Sequence, residues 1–258
     1  MKRTPVTVDL TEFPEVFHPV LRNSNLFDSS CSRIARVWFL EHCQGFYLKS
    51  AAKGALEKEF QMTSYLHGKG LAAEVISYVQ TEDRDWMLTT RVPGEDCTYG
   101  LYLEDPLRLC DTIAASLRSL HELDHSDCPV TDHTQSYVAL AKQNHQRGIC
   151  DLSGTAFTSA DQAWCVVQSL SGALKSDTLI HGDYCLPNIM LDNWSFSGFI
   201  DVDHGGVGDR HIDLYWGMWS LAYNLKTDAY GSRFLDAYGR DRIDPEILHG
   251  ISAFEAFG

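Results

Sequence analysis

The sequence predicts an α+β fold in two lobes: a small, mainly β N-terminal lobe over residues 1–93 and a larger, mainly α lobe over 94–258. Three observations predict it. Residues 33–92 read as two strands, a helix and two further strands. After the Pro93-Gly94 break the spacing of apolar residues becomes helical. A polar loop at 181–188 lies between short apolar runs. A chain of 258 residues is long enough for two lobes sharing a cleft.

In chain order, strands are expected at 36–40 and 45–49, rich in aromatic and branched residues, around a polar turn at 41–44. A helix over 55–67 would align Leu56, Phe60, Thr63 and Leu66 on one face, with Gly68 and Gly70 closing it. Strands at 73–80 and 86–92 meet across the turn 81–84. Helices are expected over 106–122, 136–147, 159–174, 213–225 and 232–238.

Charge and cysteine usage narrow the function classes. There are 35 acids against 21 lysines and arginines, a net charge of −14, which opposes binding to nucleic acid or anionic membranes and favours cationic ligands; general solubility explains it as well. No secretion signal is read at the N-terminus, and no run approaches the ~18 apolar residues of a membrane span. The eight cysteines form no C-x-x-C pair and read as reduced thiols of a cytoplasmic protein.

The strongest chemical signal is His181-Gly182-Asp183-Tyr184-Cys185-Leu186-Pro187-Asn188, followed by Asp201 at the end of an apolar run. An H-x-D-x-x-x-x-N loop with a second acid downstream has the spacing of a kinase catalytic loop and its metal-binding aspartate. Asp183 is expected to position or deprotonate an acceptor hydroxyl. Asn188 and Asp201 are expected to ligate Mg2+, which prefers hard oxygen donors. His181 and Asp213 are expected to brace the loop, and Cys185 beside it to be inert. Lys49 at a strand end and Glu59 in the next helix have the placement of a phosphate-binding lysine and its ion-pair partner, though alone they read equally well as surface residues. His121-Glu122-Leu123-Asp124-His125 matches the zincin string, but the helix is expected to end inside it, which argues against a metalloprotease.

His-Gly-Asp at 181–183, Cys-Leu-Pro-Asn-Ile-Met-Leu-Asp-Asn-Trp at 185–194, Phe-Ser-Gly-Phe-Ile-Asp at 196–201 and Gly-Asp-Arg-His-Ile-Asp at 208–213 resemble the aminoglycoside phosphotransferases, and among them the 3′-phosphotransferase (kanamycin kinase) branch. Phe27-Asp28-Ser29-Ser30-Cys31-Ser32, Phe-Tyr-Leu-Lys at 46–49, Asp-Trp-Met-Leu at 85–88, Val-Pro-Gly-Glu-Asp at 92–96 and Leu-Arg-Ser-Leu-His at 117–121 extend the resemblance over nearly the whole chain. It implies a protein-kinase-like fold with the active site between the lobes, ATP or GTP as phosphoryl donor, Mg2+, and a cationic aminoglycoside as acceptor. It also implies that Lys49 and Glu59 serve the nucleotide, that Ser29 and Ser30 cradle phosphate in place of a glycine-rich loop, and that adenine meets the backbone between Thr90 and Val92. On the acceptor side it points to Glu255, with Asp151, as partners of substrate ammonium groups, and to His204 as a further substrate-binding residue.

That side is the less faithful one. Asp203-His204 stands where the family usually has Gly-Arg, Trp216, Trp219 and Tyr223 fill a helix that carries charges in several relatives, and Gly258 replaces a bulky terminus. Two other readings therefore stand beside the aminoglycoside kinase: a kinase of the same fold for another small alcohol or amino-alcohol, and a nucleotide-binding protein without turnover. A protein kinase is disfavoured, because only six residues separate Asp201 from Gly208 and leave no activation loop.

Overall fold

In a computed structural model, residues 3–31 and 34–258 are described. The chain divides into two compact units, Met1–Asp96 with Ile189–Asp203, and Cys97–Asn188 with His204–Gly258. This differs from the expected single boundary after residue 93: a hairpin from the later half of the chain packs with the first unit.

The first unit holds the strands β1 (Thr4–Pro5), β2 (Asn25–Asp28), β3 (Arg36–Glu41), β4 (Phe46–Ala52), β5 (Val75–Gln80) and β6 (Arg84–Thr90), with the helices α1 (His18–Arg22) and α2 (Glu57–Gly68). They form one sheet in the order β1-β2-β3-β4-β6-β5, every pairing antiparallel. Four strands were expected from the pattern of residues; β1 and β2 extend the sheet, because their short polar stretches carry little alternation of their own. Period-two alternation sorts the two faces. Trp38, Leu40, Leu48, Trp86 and Leu88 point to one side and bury against Phe13, Phe17 and Leu21. The indoles of Trp38 and Trp86 stack there with centroids 6.0 Å apart. Ala51 and Met87 point to the other side, with Leu56 and the half-buried Phe60 and Tyr78.

Asp85 connects this sheet to the helix that carries Glu59. Its fully buried carboxylate accepts from Leu56 N at 3.0 Å, at the entry to α2, and from Gln80 Nε2 at 3.1 Å. Burial opposes its charge, but the amides of Gly54 and Leu56 and the side chains of Tyr78 and Gln80 hold the carboxyl below its ordinary value. Asp85→Ala is expected to cost about 1–3 kcal/mol by leaving these donors unpaired. A depressed carboxyl contributes stability above its unfolded value and loses it as pH falls. The measured deficit of the variant in urea denaturation should therefore shrink in acid.

Strand β7 (Glu95–Asp96) explains why the hairpin joins this unit. It pairs with β9 (Ile189–Asp192), which pairs with β10 (Ser195–Phe199). Phe199 N also donates to Leu71 O at 2.7 Å. Gly94 permits the approach: its φ is +88°, and a Cβ there would lie 2.0 Å from Leu191 O.

The second unit is mainly helical, with α3 (Gly100–Leu103), α4 (Pro106–His121), α5 (His133–Gln146), α6 (Ala160–Leu170), α7 (Arg210–Leu225), α8 (Gly231–Tyr238) and α9 (Pro245–Glu255), plus the two-stranded β8 (Thr178–Ile180) and β11 (Gly206–Gly208). Helix α4 is amphipathic, with Asp105 capping its start by accepting from Arg108 N and Pro106 in its first turn. Its residues Leu109, Ile113 and Leu117 are fully buried. Helix α7 starts three residues before the expected position because the Asp209 side chain caps it, accepting from His211 N. Helix α9 was not expected at all. It is entered through Asp244-Pro245, and its Phe254, with Ala256 and Phe257 just beyond its end, packs into a core with Ala163, Val167 and Leu170 of α6. No described helix is long and apolar enough to cross a membrane.

Candidate functional site

In the first unit, β4 ends with Lys49 pointing at two carboxylates. Its Nζ lies 2.8 Å from Glu59 Oε2 and 3.0 Å from Asp201 Oδ1. Glu59 is buried, 5% exposed, so it is not a helix-surface acid. Burial works against the Lys49 charge, but Asp201 and Glu59 outweigh it and hold the ammonium above its ordinary value. Burial pushes the Glu59 carboxyl up while Lys49 pulls against it; at 2.8 Å the ion pair holds. Asp201 has φ +52°, unusual for a residue with a side chain, and its carboxylate is half exposed. Such strain is concentrated where a side chain must be aimed.

The expected nucleotide contacts are placed more tightly than their sequence suggested. Ser29 is buried and donates its N–H to Val37 O at 2.9 Å. The Ser30 hydroxyl accepts from Val37 N at 3.0 Å, so it closes the turn between β2 and β3. Ser32 lies outside the described residues. Thr90 N donates to Glu74 O at 2.9 Å and Arg91 N to Gly45 O at 3.0 Å. Both N–H groups are thus committed to the sheet and are not open to a base, which leaves it the backbone carbonyls there and the groups at Val92.

In the second unit, the 181–188 loop is fixed from below. Asp213, fully buried on α7, accepts from His181 N at 2.8 Å and Gly182 N at 2.7 Å, and from His121 Nε2 at 3.0 Å. Burial lowers the His121 pKa despite Asp213, so the ring is neutral, donating through Nε2 and accepting from Tyr238 OH at Nδ1, 2.8 Å away. Ser220 Oγ takes Leu186 N at 2.9 Å, and Tyr184 OH donates to Ile113 O at 2.7 Å. Gly182 has φ +83° and no room for a Cβ, which would sit 2.0 Å from His204 O. On this base Asn188 Nδ2 donates to the Asp183 carboxylate at 2.8 Å and to the Asp183 carbonyl at 3.0 Å. The Asn188 amide oxygen is thereby oriented as the remaining hard donor. Cys185 is buried, and burial pushes its thiol far up, away from nucleophilic chemistry. Helix α4 ends at His121, and His125 Nδ1 lies against Leu123 O at 3.3 Å, so the two histidines do not share a helical face.

Of the expected acceptor-side residues, Glu255 is half buried and accepts from Tyr137 OH at 2.6 Å. The Trp216 indole is close enough to favour its charged form, and Asp183 is near enough to be felt electrostatically. Tyr137 had no sequence signal; nothing in its neighbourhood marks it except helical spacing. Asp151 is exposed, its carboxylate engaged by Ser153 N at 2.8 Å and by the Ser153 hydroxyl, and its own N–H donates to Ala256 O at 2.8 Å. His204 is exposed.

A strand lysine paired to a helix glutamate and a D-x-x-x-x-N loop anchored through a buried aspartate define the class: a phosphoryl-transfer enzyme of the protein-kinase-like fold. The pattern of the phosphotransferase enzyme family matches residues 32–250, and the chain belongs to that family. It is similar to a probable aminoglycoside 3′-phosphotransferase of Lactococcus lactis, 42% identical over 254 residues and 97% of each chain. The aminoglycoside 3′-phosphotransferase of Streptomyces fradiae is 30% identical over 212 residues, covering 78% of this chain and 79% of that one. Among solved structures, a type VIII aminoglycoside-3′-phosphotransferase superposes with a TM-score of 0.73 at 24% identity, over 95% of this chain and 100% of its own. A Streptomyces rimosus aminoglycoside phosphotransferase in complex with ADP and streptomycin gives 0.72 at 22% identity, over 96% and 99%.

Proposed function

We propose that this enzyme moves the γ-phosphate of a nucleoside triphosphate to a hydroxyl of a kanamycin-type aminoglycoside. The observation that supports it best is the Asp183 carboxylate held by Asn188 with Glu255 in electrostatic reach, an arrangement that suits a hydroxyl-side base with an acid for ammonium groups beside it. Lys49, aimed by Glu59, is assigned to the nucleotide phosphates, with the backbone around Val92 as the adenine contact. Asp183 takes or orients the acceptor proton. Asn188 and Asp201 supply oxygen donors that suit Mg2+, which would neutralise the phosphates when bound. ATP is the donor that fits the ADP complex of the similar Streptomyces rimosus enzyme, and a cytoplasmic location fits eight cysteines that are all free of disulfides.

Coupled detection of nucleoside diphosphate, run with kanamycin and neomycin and with ATP and GTP, tests the reading. Turnover on both antibiotics is expected. Turnover on a neutral alcohol alone would replace the substrate class, and nucleotide binding with no turnover would replace the activity. Expression in a kanamycin-sensitive bacterium should raise the concentration needed to stop growth.

A second measurement follows from Glu255. Burial raises its carboxyl to about 7; the Tyr137 hydroxyl that donates to it and the nearby Trp216 indole pull the other way, and Asp183 adds to the rise, with Tyr215 also packed nearby. As pH rises through about 7 the carboxyl ionises, so KM for the cationic acceptor should fall. The stability sign is opposite: a raised carboxyl contributes stability below its unfolded value and loses it through about 7. Glu255→Gln should raise KM more than it lowers kcat, because the contact is made alike in ground and transition states. It should also flatten the KM dependence between about pH 6 and 8. A KM profile unchanged by the substitution would remove Glu255 from the acceptor site.

A further inference from the structure

Helix α7 carries an aromatic stripe that the roles above do not use. Trp216 and Trp219 meet edge to face with centroids 5.4 Å apart, and Trp219 stacks on Tyr223 at 5.1 Å and 8°. Trp219 is 38% exposed and Tyr223 59%, a large apolar surface to leave open to water. The segment after α5 passes its edge: a Cβ on Gly154 would lie 3.7 Å from Trp219 Nε1.

The stripe has a polarity. At one end Trp216 packs against the same core as Tyr137, whose hydroxyl donates to the Glu255 carboxylate at 2.6 Å, and that carboxylate lies within electrostatic reach of Asp183. At the other end Lys226 Nζ sits over the Tyr223 ring, 4.2 Å from its centroid. An occupant of this face therefore presents an ammonium toward Glu255 and an uncharged, ring-like part toward Tyr223.

We propose that Trp219 and Tyr223 form an apolar ledge against which a sugar or aminocyclitol ring of the acceptor packs while one of its ammonium groups pairs with Glu255. The proposal rests on the function proposed above and adds the residues that select the acceptor's ring. The C–H face of a saturated six-membered ring is apolar and carries weak positive charge, so it can cover the exposed surface of Trp219 and Tyr223, whose rings already stack on each other. A carboxylate alone would accept any cation of suitable size. A ledge beside it favours a cation borne on a saturated ring with an apolar C–H face, and the lysine at the far end disfavours an acceptor with a second ammonium there.

The test uses the full-length enzyme. The double variant Trp219→Ala/Tyr223→Ala should raise KM for kanamycin about tenfold, leave kcat within about twofold, and leave KM for ATP unchanged. Trp219→Phe should recover most of the loss, which a merely structural defect would not. A kanamycin KM within about twofold of the unmodified enzyme overturns the ledge. Should the unmodified enzyme phosphorylate no aminoglycoside, the functional reading fails separately, and the ledge is judged by NMR. The indole N–H signal absent from Trp219→Phe should shift on titration with kanamycin; an unmoved signal at saturating kanamycin overturns it.

Discussion

Asp183→Asn is expected to lower kcat by about 10²–10⁴-fold, the range that positioned proton transfer contributes, while nucleotide affinity stays at its unmodified value. The substitution is isosteric. An asparagine at 183 can still accept from Asn188 Nδ2 through its oxygen, and its backbone contacts, Asp183 N to His181 Nδ1 at 3.3 Å and Cys185 N to its carbonyl at 2.8 Å, need no side-chain charge. What is lost is an oxygen able to take the acceptor proton. The nucleotide should be unaffected because the lysine–carboxylate cluster assigned to it belongs to the other compact unit. Steady-state turnover together with calorimetric nucleotide titration separates the two effects. Turnover within about threefold of the unmodified enzyme would show that Asp183 is not the base.

The spacing of this chain's polar residues is easier to read than the packing of its elements. Asp183, Asn188 and Asp201 stand out because three polar residues at fixed spacing are framed by apolar runs, and those runs are β8, β9 and β10. Lys49 and Glu59 were ambiguous by themselves, since a strand-end lysine and a helix acid are common on surfaces. Burial of Glu59 and the 2.8 Å contact resolve them, and burial is a tertiary property. The H-E-x-x-H string shows the converse: it is legible and without chemistry, because α4 ends at its first histidine. The hairpin's membership in the first unit was not legible, since it depends on the two-residue β7 pairing with β9. Helix α9 was missed although Asp244-Pro245 is an ordinary start signal; Glu255 was therefore located by resemblance, while its partners Tyr137 and Trp216 come from packing.

Asp213→Asn should be the most damaging single change below the site, with a stability loss of about 3–5 kcal/mol, as when one partner of a buried hydrogen-bonded network is removed. Both carboxylate oxygens of Asp213 accept from backbone: Oδ2 from His181 N, Oδ1 from Gly182 N. An amide must therefore aim its NH2 at one of two N–H groups. On the Oδ2 side it would also face His121, whose Nε2 hydrogen is committed there while Nδ1 accepts from Tyr238. The smaller conflict is at Gly182, and that is the residue beside Asp183. The backbone cannot relax toward His204, whose carbonyl oxygen already lies where a Cβ would be, so kcat should fall together with stability. The pH dependence has a defined sign. Burial opposes the Asp213 charge, but His121, His181 and the backbone hold its carboxyl below the ordinary value. Its contribution is therefore present above about 3.9 and lost as pH falls through the lower folded value. His121 is depressed too, so its neutral form contributes above about 6.5 and is lost below it. The His121 loss is shared by both proteins, so urea denaturation should show the gap between unmodified enzyme and variant no smaller at pH 5 than at pH 7 and narrowing only below about pH 3.9. An Asp213→Asn protein that unfolds at the unmodified midpoint and turns over at the unmodified rate would show that the loop is braced by something other than this carboxylate.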